Sequence, residues 1–342
     1  MTPLLIRCEA TPALGTGHAL RCLALAQEWM RRGGRVVFAL GEPEPAIVVR
    51  LETAGASVSV LCSAPGSAAD AVETATLAQS LGAGWVVVDG PMFDVAWDAA
   101  WPGETRLLRI DDNGLGRPFR ADLLLNQNLG AAAGDYPVKA GPCRMLLGLE
   151  YALLRPEFLR VVGEKPARIG WMVITLGGSD PACATERVLA ALQQTAARAL
   201  VADFIIGAAN PRREALVAAI TRLAPRLQAV IAPPDLAERF ARAQLVVTAG
   251  GTTLYELALL RTPMLALCTA DNQRRTCERF EAAGAIRFAG WHGHIRPREL
   301  ALTLAELAGD AVQRAGLAQR AGGLVDGRGA ARVADAMLGG RA

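Results

Sequence analysis

Few side chains in this sequence can move a proton near neutral pH, and one of them sits at a turn built for ligands. His18 lies in LGTGHALRCLALA, residues 14–26, just after the apolar run Leu4–Cys8, and it is one of only three histidines. Gly15 and Gly17 allow a sharp turn and close approach of a ligand where a helix begins near His18. Arg21, three residues on, shares the face of that first helical turn. A histidine so placed favours a functional role over a merely structural one. GxGH is a weak motif on its own, since a plain strand–helix turn capped by histidine has the same pattern. The dinucleotide fingerprint G-x-G-x-x-G is not completed here.

Three further segments have the chemistry of phosphate and sugar binding. TLGGSDPA, residues 175–182, offers Gly177, Gly178 and Ser179 at a strand–helix turn suited to a phosphate, with Ser179 or Asp180 alternatively a cap of the next helix. TAGGTTLYELALLRTP, residues 248–263, ends a buried strand in Gly250 and Gly251 and continues with Thr252 and Thr253. Donors at such a helix start suit a diphosphate, and Glu256 deeper in the helix suits ribose hydroxyls. An exposed glutamate on an amphipathic helix is the alternative for Glu256. CTADNQRRTCERF, residues 268–280, opens another loop with Asn272 and Gln273. Asp89 and the pair Asp111–Asp112 end strands, where they face the cleft or equally cap helices or hold turns. His292 and His294 in GWHGHI have no third ligand at suitable spacing, so a solvated loop is expected and no metal site.

The elements that must position these residues alternate between short β-rich runs and longer helices, the pattern of parallel sheets built from βαβ units. Strands are expected at Leu4–Cys8, Arg35–Leu40, Ser57–Leu61, Trp85–Asp89, Arg106–Ile110 and Asp122–Leu125, with helices at His18–Arg32 and Ala68–Leu81. RPEFLRVVGEKPARIG breaks the pattern and marks a domain junction around 155–168. A second series follows at Trp171–Leu176, Asp203–Ile206, Ala229–Ile231, Leu245–Thr248 and Met264–Leu267, and the chain is helical after Pro297. The expected fold is α/β, two Rossmann-like parallel-sheet domains facing a cleft. The expected domains are 1–160, carrying the sugar and catalytic residues, and 168–342, carrying the nucleotide and a helical tail.

Composition narrows the function. At 342 residues the chain suits two domains, and 52% hydrophobic against 20% charged residues supplies ample core. A net charge of +3 from 36 basic and 33 acidic residues fits a small anionic ligand met by local arginines. Nucleic-acid binders show a dense basic patch instead, so none is expected as a partner. Seven scattered cysteines without a CxxC pair read as reduced thiols. No apolar run approaches the roughly 20 residues that span a bilayer, and the opening MTPLLIRC lacks the marks of a secretion signal. A cytoplasmic protein with no membrane partner is expected.

With these segments together, the chain resembles the UDP-2,4-diacetamido-2,4,6-trideoxy-sugar hydrolases of pseudaminic acid biosynthesis, proteins of polysaccharide biosynthesis and flagellin modification. The likeness runs through GTGHALRCLALA, IDDN, DLLLNQNLGA (122–131), LLGLEYALLRPEF (146–158), TLGGSDPA, AGGTTLYELALLRTP and ADNQ. NQNLGA followed by YALLRPEF is its most specific part. More distantly, the second half is similar to the donor domain of the UDP-GlcNAc transferase of peptidoglycan synthesis. The resemblance implies a glycosyltransferase-B-like fold, UDP mainly on the C-terminal half and the sugar facing the N-terminal half. It implies metal-independent, inverting hydrolysis without a cofactor. Carried over by position, His18 matches the water-activating base, with Gly17 and Arg21 its motif neighbours. Gly250, Gly251 and Thr252 match the diphosphate turn and Glu256 the ribose contact. Asp89, Asn126, Gln127 and Asn128 join the substrate-binding set. This chain departs from the pattern at Glu9, where the family has aspartate, and at Pro91, where many members have tyrosine. Tyr255 stands where others carry tryptophan or asparagine. All three positions are expected around the sugar.

The expected activity is hydrolysis of a UDP-amino-sugar to UDP and the free sugar. Transfer of the sugar to an acceptor hydroxyl on the same fold is the rival, and a sugar-nucleotide binder without activity is a third possibility. Transfer to a lipid acceptor calls for a basic amphipathic docking helix, and the N-terminal half shows none.

Overall fold

The computed structural model describes the chain except residues 12–13, 115, 117, 138–140, 163–168, 209 and 340–342. Part of the expected junction at 155–168 therefore lies outside the described residues. The chain forms two compact units, Met1–Arg155 with Gly327–Ala342, and Pro156–Asp326.

In chain order the first unit holds β1 (Leu4–Cys8), α1 (Gly17–Arg31), β2 (Val36–Leu40), α2 (Pro45–Thr53), β3 (Ser57–Val60) and α3 (Ala68–Leu81). It continues with β4 (Trp85–Asp89), α4 (Val95–Ala100), β5 (Arg106–Ile110), β6 (Leu123–Asn126) and β7 (Arg144–Leu147). The seven strands are parallel in the order β3-β2-β1-β4-β5-β6-β7. The central strands are buried from end to end because helices cover both faces, which is why WVVVD has no alternation. Local signals set the helix ends. Ser67 accepts a hydrogen bond from the Asp70 N–H at the start of α3, and Gly82 closes it in the left-handed conformation at φ 60°.

The second unit holds α5 (Pro156–Val161), β8 (Ile169–Thr175), α6 (Ala184–Leu192), β9 (Ala202–Ile206), α7 (Arg213–Thr221), β10 (Leu227–Ile231) and α8 (Leu236–Arg242). There follow β11 (Ala243–Ala249), α9 (Thr253–Leu259), β12 (Met264–Cys268), α10 (Asp271–Ala282), β13 (Arg287–Trp291), α11 (Pro297–Gly309) and α12 (Ala311–Ala321). Its six parallel strands run β10-β9-β8-β11-β12-β13.

The last helix, α13 (Gly329–Met337), corrects the expected assignment of the tail to the second domain. Val333, Ala334 and Met337 are buried in the core that contains Leu4, Ala26 and Trp29 of the first unit. Trp85 Nε1 donates to the Met337 carbonyl at 2.8 Å, and Arg32 pairs with Asp335. Gly329 lies so close to Ala152 that a Cβ would sit 2.1 Å from its carbonyl oxygen. Two strands were not expected, β7 and β13, and both are half-exposed sheet edges. Among the described residues no helix is long and apolar enough to cross a membrane.

Candidate functional site

In parallel sheets, ligands bind beyond the strand C-termini, and register brings the first unit's chemistry to that edge. Cys8 is level with Asp89, Asp89 with Ile110, and Ile110 with Leu125. Asp89, Asp111, Asp112 and Asn126 therefore share one edge with the turn into α1. That turn is shaped by Gly15, at φ 76°, whose N–H donates to the Thr11 carbonyl at 2.8 Å.

His18 and Arg21 meet on Asp89. The Asp89 carboxylate is completely buried, and its Oδ1 lies 2.8 Å from His18 Nδ1. Arg21 grips it with both nitrogens, Nε to Oδ2 at 2.6 Å and Nη2 to Oδ1 at 2.5 Å. Arg21 also donates through Nη1 to Asp112 Oδ1 at 2.7 Å. Burial pushes the Asp89 carboxyl up, but the charges and hydrogen bonds of Arg21 and His18 outweigh it and hold it well below the usual carboxylate range. Burial likewise opposes the Arg21 charge, which Asp112 and Asp89 more than restore. Cys22, whose thiol contacts Asp89 Oδ2 at 3.4 Å, is pushed well up by burial and stays a thiol. An ionised carboxylate only accepts, so Nδ1 bears a proton in this contact, and in the neutral imidazole the lone pair on Nε2 is then left for a reactant. With 17% of its side chain exposed, His18 is reachable from solvent.

A second set of bonds extends this network along the edge. Asn128 Nδ2 donates to the Asp112 carbonyl at 2.9 Å and to its Oδ1 at 3.3 Å. Asn126 Oδ1 accepts from the Asn128 N–H, and Asn126 Nδ2 donates to the Tyr136 hydroxyl. Tyr136 donates in turn to Asp111 Oδ2 at 2.8 Å, and burial with that neighbouring carboxylate raises its phenol far above the ordinary value. Asp111 also accepts from the N–H groups of Asn113 and Gly114. Asp111 thus holds its turn, whereas Asp112 and Asn128 support Arg21. Tyr136, buried within this network, had no sequence signal beyond its being one of three tyrosines.

Several expected contacts lie in the interior instead. Gln127 is fully buried, its Oε1 accepting the Leu153 N–H at 2.9 Å, so it anchors the chain after β7. Glu9 is 1% exposed, with Oε1 accepting from Arg7 and the Gly41 N–H. Pro91 is exposed. Tyr255 is buried and stacks on Phe280 with ring centres 5.9 Å apart, a core pair.

In the second unit the two glycine turns close β8 and β11. Gly177 takes φ 99°, and the N–H groups of Gly177, Gly178 and Ser179 have no acceptor among the described residues. Asp180 caps α6, its two oxygens accepting from the N–H groups of Ala184 and Thr185. After β11, Gly250 serves the fold: its N–H donates to the Leu267 carbonyl and to Gln273 Oε1, and a Cβ would lie 2.3 Å from Cys277 Sγ. Gln273 Oε1 also accepts from the Thr269 N–H and hydroxyl, so it ties two loops together. Gly251 differs, since a Cβ there meets nothing within 4 Å; the same is true of Gly17. The N–H groups of Gly251, Thr252 and Thr253 have no acceptor among the described residues. Glu256 is buried in α9, and Asn272 is exposed at the start of α10. Among the described residues no three His, Cys, Asp or Glu side chains are grouped to hold a metal ion.

No family model matches the chain. It is similar to the spore coat polysaccharide biosynthesis protein SpsG of Bacillus subtilis, 28% identical over 199 residues, covering 56% of this chain and 58% of that protein. It is also similar to UDP-2,4-diacetamido-2,4,6-trideoxy-beta-L-altropyranose hydrolase of Campylobacter jejuni, 25% identical over 175 residues, covering 50% of this chain and 60% of that one. The match thus spans less than two thirds of either relative. Among solved structures it superposes on MurG of Acinetobacter baumannii with a TM-score of 0.66, at 16% identity over 99% of this chain and 100% of that chain. The spinosyn rhamnosyltransferase SpnG complexed with thymidine diphosphate gives 0.67, at 16% identity over 98% and 100%. MnaA of S. aureus in its UDP co-structure gives 0.65, at 12% identity over 98% and 95%. Two parallel-sheet α/β units and these likenesses define the fold as glycosyltransferase-B-like.

Proposed function

We propose that this chain is a metal-independent, inverting hydrolase of a UDP-linked 2,4-diacetamido-trideoxy sugar or a related UDP-amino-sugar. It would release UDP and the free sugar for nonulosonic acid biosynthesis of the pseudaminic acid kind. The observation that carries this reading is the Asp89–His18 pair, a buried carboxylate at 2.8 Å from Nδ1 that leaves Nε2 as a base. His18 Nε2 takes one proton of water as the oxygen bonds to the anomeric carbon, and the bond from that carbon to the diphosphate oxygen breaks with its electrons leaving on UDP. Asp89 supports the imidazolium so formed, and Arg21 keeps Asp89 ionised. In the second unit, the unmet N–H groups at residues 177–179 and 251–253 suit a diphosphate without a metal, and Glu256 a ribose. The named activity of the Campylobacter relative agrees with the reading.

Glycosyl transfer is the rival reading, favoured by the rhamnosyltransferase among the structural likenesses. Incubation with a panel of UDP-amino-sugars, without acceptor and with EDTA, separates the two. UDP release with one ¹⁸O from labelled water in the sugar supports hydrolysis. Release only on adding an acceptor alcohol establishes transfer, and activity lost in EDTA but restored by magnesium or manganese overturns metal independence.

A further inference from the structure

We propose that Asp112 selects the sugar: its outward oxygen, Oδ2, accepts a hydrogen bond from an amide N–H or hydroxyl of the substrate's sugar. This rests on the UDP-amino-sugar reading above and assigns a residue of its sugar site.

The case begins with the occupancy of each carboxylate along this strand edge. Asp89 is completely buried and gives its oxygens to His18, Arg21 and Cys22. Glu9 is buried against Arg7, its Oε2 without a donor. Asp111 Oδ2 accepts from Tyr136, Asn113 and Gly114, and its Oδ1 accepts from no described residue, but neither oxygen reaches Arg21. Asp112 combines an open oxygen with a direct bond to the arginine beside His18. Its side chain is 18% exposed, about as open as that of His18. Oδ1 is held by Arg21 at 2.7 Å and Asn128 at 3.3 Å, while Oδ2 accepts no hydrogen bond from any described residue. The two bonds to Oδ1 and the Asn128 bond to the Asp112 carbonyl fix the side chain, so Oδ2 is presented in a set direction.

Distance and charge identify what it meets. A single guanidinium lies between Asp112 and the base: Arg21 Nη1 is 2.7 Å from Asp112 Oδ1, and Nη2 is 3.3 Å from His18 Nδ1. Whatever reacts at His18 therefore passes close to Asp112. Two carboxylates share that one guanidinium, so the edge is net negative while His18 is neutral. Such an edge repels phosphate and attracts hydrogen-bond donors. The part of a UDP-amino-sugar that offers neutral donors is the sugar, through its hydroxyls and acetamido N–H groups.

Asp112→Asn reverses the outward group while keeping its size. The amide oxygen can still accept from Arg21, but an NH₂ donor then replaces Oδ2. Calorimetry with UDP and with UDP-N-acetylglucosamine, in a His18→Asn background to prevent turnover, yields the gain in affinity that the sugar provides. A hydrogen bond to a charged group predicts that Asp112→Asn cuts this gain about tenfold to hundredfold, with the Kd for UDP unchanged. Asp112→Glu, which retains a carboxylate, should recover part of it. A merely structural Asp112 would alter both ligands alike or neither. An unchanged gain, or no gain even with Asp112 present, overturns the inference while UDP binding leaves the functional reading standing. Failure of UDP itself to bind overturns both.

Discussion

Asp89→Asn is the substitution that most directly tests the proposed chemistry. The change removes a charge and almost no volume, but no orientation of the amide satisfies the site. Oδ1 accepts from His18 Nδ1 and Arg21 Nη2, and Oδ2 accepts from Arg21 Nε and the Cys22 thiol. Whichever position the NH₂ takes, a donor then faces an arginine donor. Arg21, 5% exposed, is left with Asp112 alone to balance its charge. Breaking a buried ion pair on one side costs about 3–5 kcal/mol, a large share of the stability of an ordinary domain. If the NH₂ faces His18, the imidazole must present Nδ1 as acceptor and carry its proton on Nε2, where it cannot act as a base. Turnover should fall about 10²–10⁴-fold.

The same substitution has a signature in pH. Asp89 is held below its ordinary range in the folded chain, so its stabilisation is fully present above the unfolded carboxyl value of about 3.9. It is lost as pH falls further, toward the folded value. Wild type should therefore melt well above the variant at pH 7, and the gap should narrow below about pH 4. UDP release and thermal unfolding at pH 7, with unfolding repeated in acid, measure both effects. A variant that matches wild type in turnover and melting at pH 7 refutes the role given to Asp89.

His18→Asn should fold and bind UDP as wild type does yet lose about 10²–10⁴-fold in UDP release; near-normal release would leave His18 a helix-start residue. Glu256→Ala should weaken UDP binding about tenfold or more by calorimetry, and an unchanged Kd removes Glu256 from the nucleotide site. Gly251→Ala should leave the melting temperature in place and weaken UDP binding, because the added methyl meets no protein atom but fills the approach to the N–H groups. Gly250→Ala should lower the melting temperature, since its Cβ would strike Cys277. Equal behaviour of the two alanine variants contradicts the division between a ligand-facing and a packing glycine.

The sequence announced the turns better than it announced which groups at each turn face outward. Buried central strands such as Trp85–Asp89 and capped helices such as Ala68–Leu81 have strong local patterns, and the structure keeps those bounds. The edge strands β7 and β13 have mixed faces and weak periodicity, so nothing in RMLL or RFAGW separates them from loops. The α13 segment shows an apolar face, but spacing cannot say which core receives it. Site residues failed for a related reason. Asn126, Gln127 and Asn128 are consecutive, yet only the network shows Gln127 turned inward to Leu153 while Asn128 reaches Asp112. Gly250 and Gly251 are identical in sequence, and only packing against Cys277 distinguishes them. Asp111 and Asp112 were equally open to a turn-holding role; Tyr136 and two backbone N–H groups claim the first and Arg21 the second.

The charge count at the strand edge also explains why Arg21 should matter to catalysis without touching the transferred proton. With His18 neutral, Asp89 and Asp112 place two negative charges against the one positive charge of Arg21. Proton uptake by His18 brings the four side chains to neutrality at the moment the water is deprotonated. Two unit charges about 4 Å apart interact by about 4 kcal/mol at an effective dielectric of 20, against about 1 kcal/mol in bulk water. A buried carboxylate within hydrogen-bond reach of the imidazole therefore supplies stabilisation of the size a general base needs, about three powers of ten in rate. Arg21 makes this available by keeping Asp89 ionised in a site where burial favours the protonated form. Without Asp112, Arg21 would cancel Asp89 outright, and the imidazolium would form beside a neutral pair. The second carboxylate leaves one negative charge for His18 to neutralise.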